Sequence, residues 1–307
     1  MLDLHRLRLL RELKHRGTLA AVAQALDYTP SAISQQLTQL EAEVGVALRE
    51  PAGRRVRLTP QAEILVAHTE AVLARLERAE AEVGASLAEV SGTVRVAAFQ
   101  TAVLALAPGA LARLRARHPR LRVELVQVEP DLSLLASREV DLVVDEEYRH
   151  LPAERPPGLR VRELLVDRMR LALPGGAVPP GGTAGAVRRA AGAPWILEPE
   201  GTPARTWAQA VCRSFGFEPD VLYETTDVRT HRRFVELGQA AAFLPDLLWA
   251  PEGARPGGLY PLPEEWRDRR VVAVVRDGAD GHPALAAVLE ALRGEGGGSG
   301  GGGGPQA

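Results

Sequence analysis

Apolar residues in the first 45 positions recur at helical spacing. Leu4, Leu7, Leu10 and Leu13 lie on one face of a first helix, Leu19, Val22, Ala23 and Leu26 mark a second, and Ile33, Leu37 and Leu40 a third. Small Ala20, Ala21 and Ala25 let the last two pack closely. Thr29 is placed to cap the third helix, and Pro30 fits its first position, where no backbone donor is lost. From Thr59 to about Leu87 the chain is rich in Ala, Glu and Leu, with neither Gly nor Pro between Gln61 and Val83, which predicts one long helix. Its Leu65, Thr69, Val72, Leu76, Ala79 and Val83 alternate spacings of four and three, as in a coiled-coil seam. A helix between two domains has little of its own chain to lean on, so the stripe predicts pairing with a second copy. Docking on its own domain is the alternative.

After Ser91-Gly92 the period changes. Strands are predicted at Val94–Phe99, Leu121–Val126 and Val140–Val144, and helices at Ala102–His118 and Asp131–Ser137; their alternation predicts a parallel sheet. Extended chain follows from Leu159 to Leu173, then a loop rich in Gly and Pro from Pro174 to Gly185. Next come strands at Trp195–Leu197, Val221–Glu224 and Ala241–Pro245, alternating with helices at Thr206–Phe215 and Arg229–Leu237. A strand at Arg270–Val275 and a helix at His282–Leu292 close the series. The inventory fits two small α/β lobes, the chain crossing near Val166 and returning near Arg269, and a cleft between such lobes is the usual place for a small molecule. The Gly-rich tail from Gly294 to Ala307 cannot offset its chain entropy and is expected to be disordered.

The polar positions then carry the functional reading. Outward on the third helix are Ser31, Ser34, Gln35, Thr38 and Gln39, short hydrogen-bonding side chains without a carboxylate, a face that a major groove can accept. With Thr29 and Pro30 at the helix start, these are the candidate DNA-contacting residues; an ordinary helical hairpin whose polar face meets water is the bland alternative. After Leu48 the chain turns at Ala52-Gly53 between short extended arms, with Arg54, Arg55 and Arg57 around the tip, suited to phosphate or minor-groove contact.

A chain of 307 residues with 46% hydrophobic content holds two or more cores. Its net charge of −2 is unpromising for a nucleic-acid binder, yet residues 1–58 carry nine Lys or Arg against six Asp or Glu, concentrated in two patches. Weak non-specific binding would follow, with specificity left to the helix and dimer geometry. Cys212 is the only cysteine, which excludes a disulfide or a cysteine metal cluster within one chain and suits a reducing cytoplasm; a buried structural thiol is favoured over a redox sensor. The N-terminus opens on charged residues, and no run approaches the roughly 18 apolar residues that span a bilayer, so no membrane association is expected. Histidines 5, 15, 68, 118, 150, 231 and 282 show no metal-ligand spacing. Gly297 to Gly301 formally matches a nucleophile elbow, and Gly296, Gly298 and Gly301 a dinucleotide fingerprint, but neither follows a strand or opens a helix. No enzyme, cofactor or metal is expected.

For the cleft, Gln100-Thr101 follows the first strand and opens a helix, and Gly201-Thr202 precedes the helix behind the Trp195 strand; helix N-termini offer free backbone donors to anionic groups. Capping is the alternative role for both threonines. Asp145-Glu146-Glu147 after the third strand reads as a solvated acidic loop; the sharper reading is that Asp145 faces the cleft and attracts a cationic group.

Leu4 to Leu65 resembles the winged helix-turn-helix of LysR-type transcriptional regulators, through Gly17-Thr18-Leu19, Ala20-Ala21, Ser34-Gln35-Gln36-Leu37, Leu40-Glu41, Val44-Gly45-Val46 and Leu58-Thr59-Pro60. Pro30-Ser31 stands where that family often has Gln-Pro, and Arg49 and Pro51 replace a usual aromatic and arginine. Downstream the likeness continues through Arg138-Glu139-Val140-Asp141-Leu142, Leu173-Pro174, Trp195-Ile196, Gly216-Phe217-Glu218-Pro219, Leu237-Gly238 and Leu244-Pro245. It implies an α/β protein with an α-rich N-terminal winged helix-turn-helix and a two-lobed, periplasmic-binding-protein-like effector domain. The implied division is 1–58 for DNA binding, 59–90 for a dimerising linker helix, 91–164 with 269–293 for one lobe, 165–268 for the other and 294–307 for the tail. The resemblance also places residues after the strands ending near Val144, Glu224 and Phe243 in the effector site, which adds Thr225 and Phe243. The implied partners are double-stranded DNA at a roughly palindromic site, a second copy or three in a homodimer or homotetramer, and a small-molecule effector of unknown identity, for which the helix N-termini suit a carboxylate and Asp145 an amine. Rival readings are a DNA-binding module fused to a catalytic domain, and a small-molecule-binding protein whose helical adaptor never touches DNA.

Overall fold

The computed structural model describes residues 1–52, 55–87, 89–151, 153, 155–174, 182–250 and 258–296. Arg54 and the expectations for 297–307 lie outside them, as does most of the Pro174–Gly185 segment.

Helices α1 (Leu4–Arg16), α2 (Leu19–Leu26) and α3 (Pro30–Val44) begin at the side-chain caps Asp3, Thr18 and Thr29. Each ends at a residue in the left-handed region, Gly17, Asp27 and Gly45 respectively. At Asp27 the chain reverses with φ 57°, and the Tyr28 N–H donates to the Ala23 carbonyl, so the turn between α2 and α3 closes within three residues. Leu9, Leu10, Leu13, Val22, Ile33, Leu37, Leu40 and Leu48 converge in one core with Ala62 and Val66 of the next helix. Strands β1 (Arg49–Ala52) and β2 (Arg55–Leu58) pair antiparallel as the wing.

Helix α4 (Pro60–Ala85), capped by Thr59, has two apolar faces. Ala62, Val66, Thr69, Leu73 and Ala81 are buried against the chain's own α1 and C-terminal segment, whereas Val72, Leu76 and Val83 are 46%, 44% and 65% exposed. The helix therefore docks on its own chain and still leaves most of the predicted seam open. Thr69 is buried, its hydroxyl donating to the Leu65 carbonyl, and Leu65 is half-buried against the N-terminal core.

The remaining chain builds two lobes on one long sheet and a separate two-stranded one. Strands β3 (Gly92–Ala98), β4 (Leu121–Gln127) and β5 (Leu142–Tyr148) run parallel, with α5 (Gln100–Ala105), α6 (Ala107–Arg117) and α7 (Ser133–Ala136) between them. Strand β6 (Leu159–Ala172) then crosses from this lobe to the other. There α8 (Gly182–Ala191), β7 (Pro194–Leu197), α9 (Pro203–Ser214), β8 (Asp220–Glu224), α10 (Val228–Glu236), β9 (Ala242–Pro245), β10 (Leu259–Pro261) and α11 (Glu264–Arg267) follow. Strand β11 (Asp268–Arg276) returns, and α12 (Pro283–Gly296) packs on the first lobe. The sheet order is β10-β6-β11-β5-β3-β4, with β9 also on β6. Where β6 and β11 run side by side, Arg270 lies opposite Val166 and Arg269 opposite Asp167.

Several expectations need correction. The sheet is mixed, because β11 runs antiparallel to both β5 and β6. The helix expected over Ala102–His118 breaks at Leu106, where Pro108 supplies no N–H and α6 starts afresh. Asp145, Glu146 and Glu147 are strand rather than solvated loop, since Arg155, Arg269 and Arg270 pair with them. Part of the expected loop up to Gly185 is α8, which buries Ala186 and Ala190.

Candidate functional site

On α3, Thr29, Pro30, Ser31, Gln35, Thr38 and Gln39 are exposed and Ser34 is half-buried, while Ile33, Leu37 and Leu40 hold the opposite face in the core. The Thr29 hydroxyl accepts from Ala32 N at 3.2 Å and contacts the Ser31 hydroxyl at 3.0 Å, so the first turn is fixed before any ligand arrives. Thr38 donates to the Ser34 carbonyl at 3.0 Å. Arg49, on β1, was not among the predicted contacts. Its guanidinium lies 2.8 Å from Glu41 and donates to Thr38 at 3.0 Å, placing a cation along the recognition face. Burial opposes the Glu41 charge, but the hydrogen bonds from Arg49 and Leu48 N outweigh it and hold the carboxyl below its usual range. The signal was available in sequence: an arginine where the resembled family carries an aromatic, eight residues from a glutamate. Arg55 lies in β2, and its side chain is outside what the structure describes.

The second site lies where β5, β6 and β11 pass between the lobes. Its centre is Arg269, 3% exposed, which donates to Asp167 through Nε at 3.0 Å and Nη2 at 2.8 Å, to Thr101 Oγ1 at 2.8 Å and to Glu146. The guanidinium also sits 5.2 Å from the Phe99 ring centre, and Tyr148 donates to Glu146 at 3.0 Å. Burial opposes the Arg269 charge, but Glu146 and Asp167 outweigh it and raise its pKa. Burial likewise pushes Glu146 and Asp167 up despite their shared arginine. Burial, then Glu146 and Glu129, push Glu198 up to about 8, and Glu129 is raised by burial and by Glu146. Acids outnumber bases here, and burial disfavours their charged forms.

Gln100 joins the lobes. Its amide donates to Asp227 at 2.6 Å and accepts from Val228 N at 2.9 Å, completing from the first lobe the cap of a helix in the second. Thr225 accepts from Asp227 N at 3.1 Å on the same turn. Gly201 has φ 91° and leads into Thr202, which caps α9 by accepting from Arg205 N at 3.1 Å. Phe243 is buried, its ring centre 5.0 Å from Trp195 and 5.1 Å from Trp207. The acid turned to the arginine is Glu146. Asp145 lies on the opposite face of β5, 3.4 Å from Arg155, with its carboxyl raised chiefly by burial. Sequence reading missed Arg269, Asp167, Glu146 and Glu198, although a charge beside an apolar strand run marks each. Cys212 is buried and its thiol is pushed up to about 12, first by burial.

Among the described residues no helix is long and apolar enough to cross a membrane, and no three His, Cys, Asp or Glu cluster as metal ligands. An exposed uncharged helical row on a winged three-helix module, joined by a long helix to two lobes that meet at a buried polar cluster, defines a ligand-responsive, DNA-binding regulator.

The family model described as "Bacterial regulatory helix-turn-helix protein, lysR family" matches residues 4–63, and the one described as "LysR substrate binding domain" matches residues 87–297. The chain belongs to the LysR family of transcriptional regulators. It is 27% identical to a probable hydrogen peroxide-inducible genes activator of Mycobacterium avium, over 89% of this chain and 88% of the relative. To the regulator CysB of Burkholderia cenocepacia it is 23% identical, over 85% and 83%. Its fold is similar to a full-length variant of OxyR from Pseudomonas aeruginosa, with TM-score 0.64 at 19% identity over 95% and 98% of the two chains. It is also similar to CbnR in complex with its target DNA, with TM-score 0.51 at 19% identity over 95% and 99%.

Proposed function

We propose that this regulator works in the cytoplasm as a homodimer or homotetramer, inserting α3 of paired subunits into successive major grooves and reading a small molecule between its lobes. DNA binding belongs to 1–58, pairing to 59–90, and the effector to lobes 91–164 with 269–293 and 165–268. The observation that carries the reading is the pair of opposed faces: the exposed polar row Ser31, Gln35, Thr38 and Gln39 on α3, and the exposed apolar row Val72, Leu76 and Val83 on α4. One meets DNA; the other meets its equivalent in a second copy. Thr29, Pro30, Ser34, Arg54 and Arg55 complete the DNA set, and Arg49 joins it.

In the cleft, Gln100, Thr101, Gly201, Thr202, Thr225 and Phe243 frame the effector, while Asp145 gives way to Glu146. The excess of buried acids supports an effector carrying an amine or another cation, which would offset their charge. The chain regulates without catalysis. The peroxide-inducible role named for the mycobacterial relative finds no support in its single thiol, which is buried and held protonated. The test is Leu76→Glu in the full-length protein: sedimentation should show loss of the oligomer, and a gel shift should show loss of specific DNA retention. An unchanged oligomer that binds DNA as before would refute the pairing surface.

A further inference from the structure

Strand β11 has an arginine near each end, Arg269 buried and Arg276 half-buried. At Arg269 it reaches the cleft; seven residues on, about 23 Å away for extended chain, Arg276 leaves the sheet and meets the linker helix. Its Nε donates to Glu77 of α4 at 2.5 Å, its Nη2 to Asp141 at 2.9 Å and its Nη1 to the Val140 carbonyl at 2.6 Å. Glu77 is 7% exposed and also receives Arg138 Nη1 at 2.7 Å. Beside this joint Arg16 pairs with Glu139 at 2.9 Å, and Arg11 donates to the Ala136 carbonyl, so the turn after α7 holds both the DNA-binding module and the linker. Between the two arginines, Val271 to Val275 are fully buried and hydrogen-bonded to β5 and β6 on either side. Such a strand moves as a unit.

The joint is also strained. Arg138 has φ 60°, in the left-handed region, and its Nε is buried without a hydrogen-bond partner among the described residues. Directly after β11, Gly278 has φ 92° and sits where a Cβ would come within 2.6 Å of the Ala74 carbonyl of α4. The strand's exit is thus pressed on the linker backbone, and a small shift of β11 cannot leave α4 undisturbed.

We propose that β11 conveys the state of the cleft to the linker helix, with the Arg276–Glu77–Arg138 joint as the contact that is kept or released. This rests on the reading of the cleft as the effector site. A molecule that takes Glu146 away from Arg269 alters the partners at one end of the strand and shifts the balance between docked and released α4 at the other.

The test uses hydrogen exchange on the full-length protein, without DNA or effector, in Arg269→Lys, Gln100→Ala, Glu77→Gln and the Arg269→Lys/Glu77→Gln double variant. Gln100→Ala loosens the bridge between the lobes without touching the buried arginine, and serves if Arg269→Lys fails to fold. Each single variant should speed exchange in residues 73–81 of α4 and in 133–141 at least fivefold, and the double variant should be no faster than the faster single. Parental exchange in α4 for the cleft variants, or effects that multiply in the double variant, would overturn the relay. Because DNA and effector are both absent, that failure would leave the proposed function standing, and failure of DNA binding would leave the relay standing.

Discussion

On α3 the outward row from Ser31 to Gln39 carries no charge; between the lobes the polar groups face inward and centre on the ionisable Arg269, Glu146 and Asp167. The α3 face is fixed by local means, a threonine cap, a proline in the first turn and an apolar stripe on the far side. The cleft is fixed by chain segments far apart, with Arg269 drawing in Thr101, Glu146 and Asp167. A duplex offers a regular surface, so a rigid row of donors and acceptors suffices to read it. In the proposed reading a small effector alters a balance of buried charges, so the cluster would respond when one partner changes.

The comparison breaks most sharply at Arg269. Arg269→Met leaves Glu146 and Asp167 buried without their cation and should cost about 3–5 kcal/mol in denaturant unfolding of the effector domain, with α3 left intact. A loss no larger than that of an ordinary surface substitution would mean that the ion cluster is not what holds the lobes.

Protonation sharpens it next. The raised pKa of Glu198, about 8, means that the folded state binds this proton more tightly than the unfolded chain. The resulting stabilisation is complete below the unfolded value near 4.5 and is lost as pH rises through about 8. Thermal unfolding between pH 5 and 8 should therefore show stability falling with rising pH, at up to one proton or about 1.4 kcal/mol per pH unit. Glu198→Gln should flatten that slope; an unchanged slope would place the proton elsewhere.

At the DNA face, Gln35→Ala or Ser34→Ala should change base preference at one position by about 1–3 kcal/mol in a binding selection. Arg54→Ala should instead weaken all sequences alike and lower the salt slope by about 1. Equal losses on random and cognate DNA for all three would erase the division between reading and holding. The smallest effect is Thr29→Ala, which removes the α3 cap and should cost about 1 kcal/mol of stability, with a matching loss of affinity.

The same contrast explains what could be read from the chain. Ile33, Leu37 and Leu40 announce α3 because helical periodicity is local, and its polar face follows by subtraction. The strands at Leu159–Ala172 and Asp268–Arg276 were legible because their apolar residues mark them locally. The partners of Arg269 were not, since Thr101, Glu146 and Asp167 are joined only when β5, β6 and β11 lie side by side. For the same reason Asp145-Glu146-Glu147 read as a solvated loop: three acids in a row predict water until the arginines that face them are known. The second face of α4 was hidden too, because Ala62, Val66 and Leu73 find their partners in α1 and the effector domain.

Salt-titrated binding of the purified full-length protein to fragments of its genome tests the central claim most directly. Retention of a small set of fragments, with affinity falling linearly in logarithmic salt and footprints showing two protected half-sites whole helical turns apart, is the predicted result. A protein that remains monomeric and retains no fragment even at low salt would contradict it.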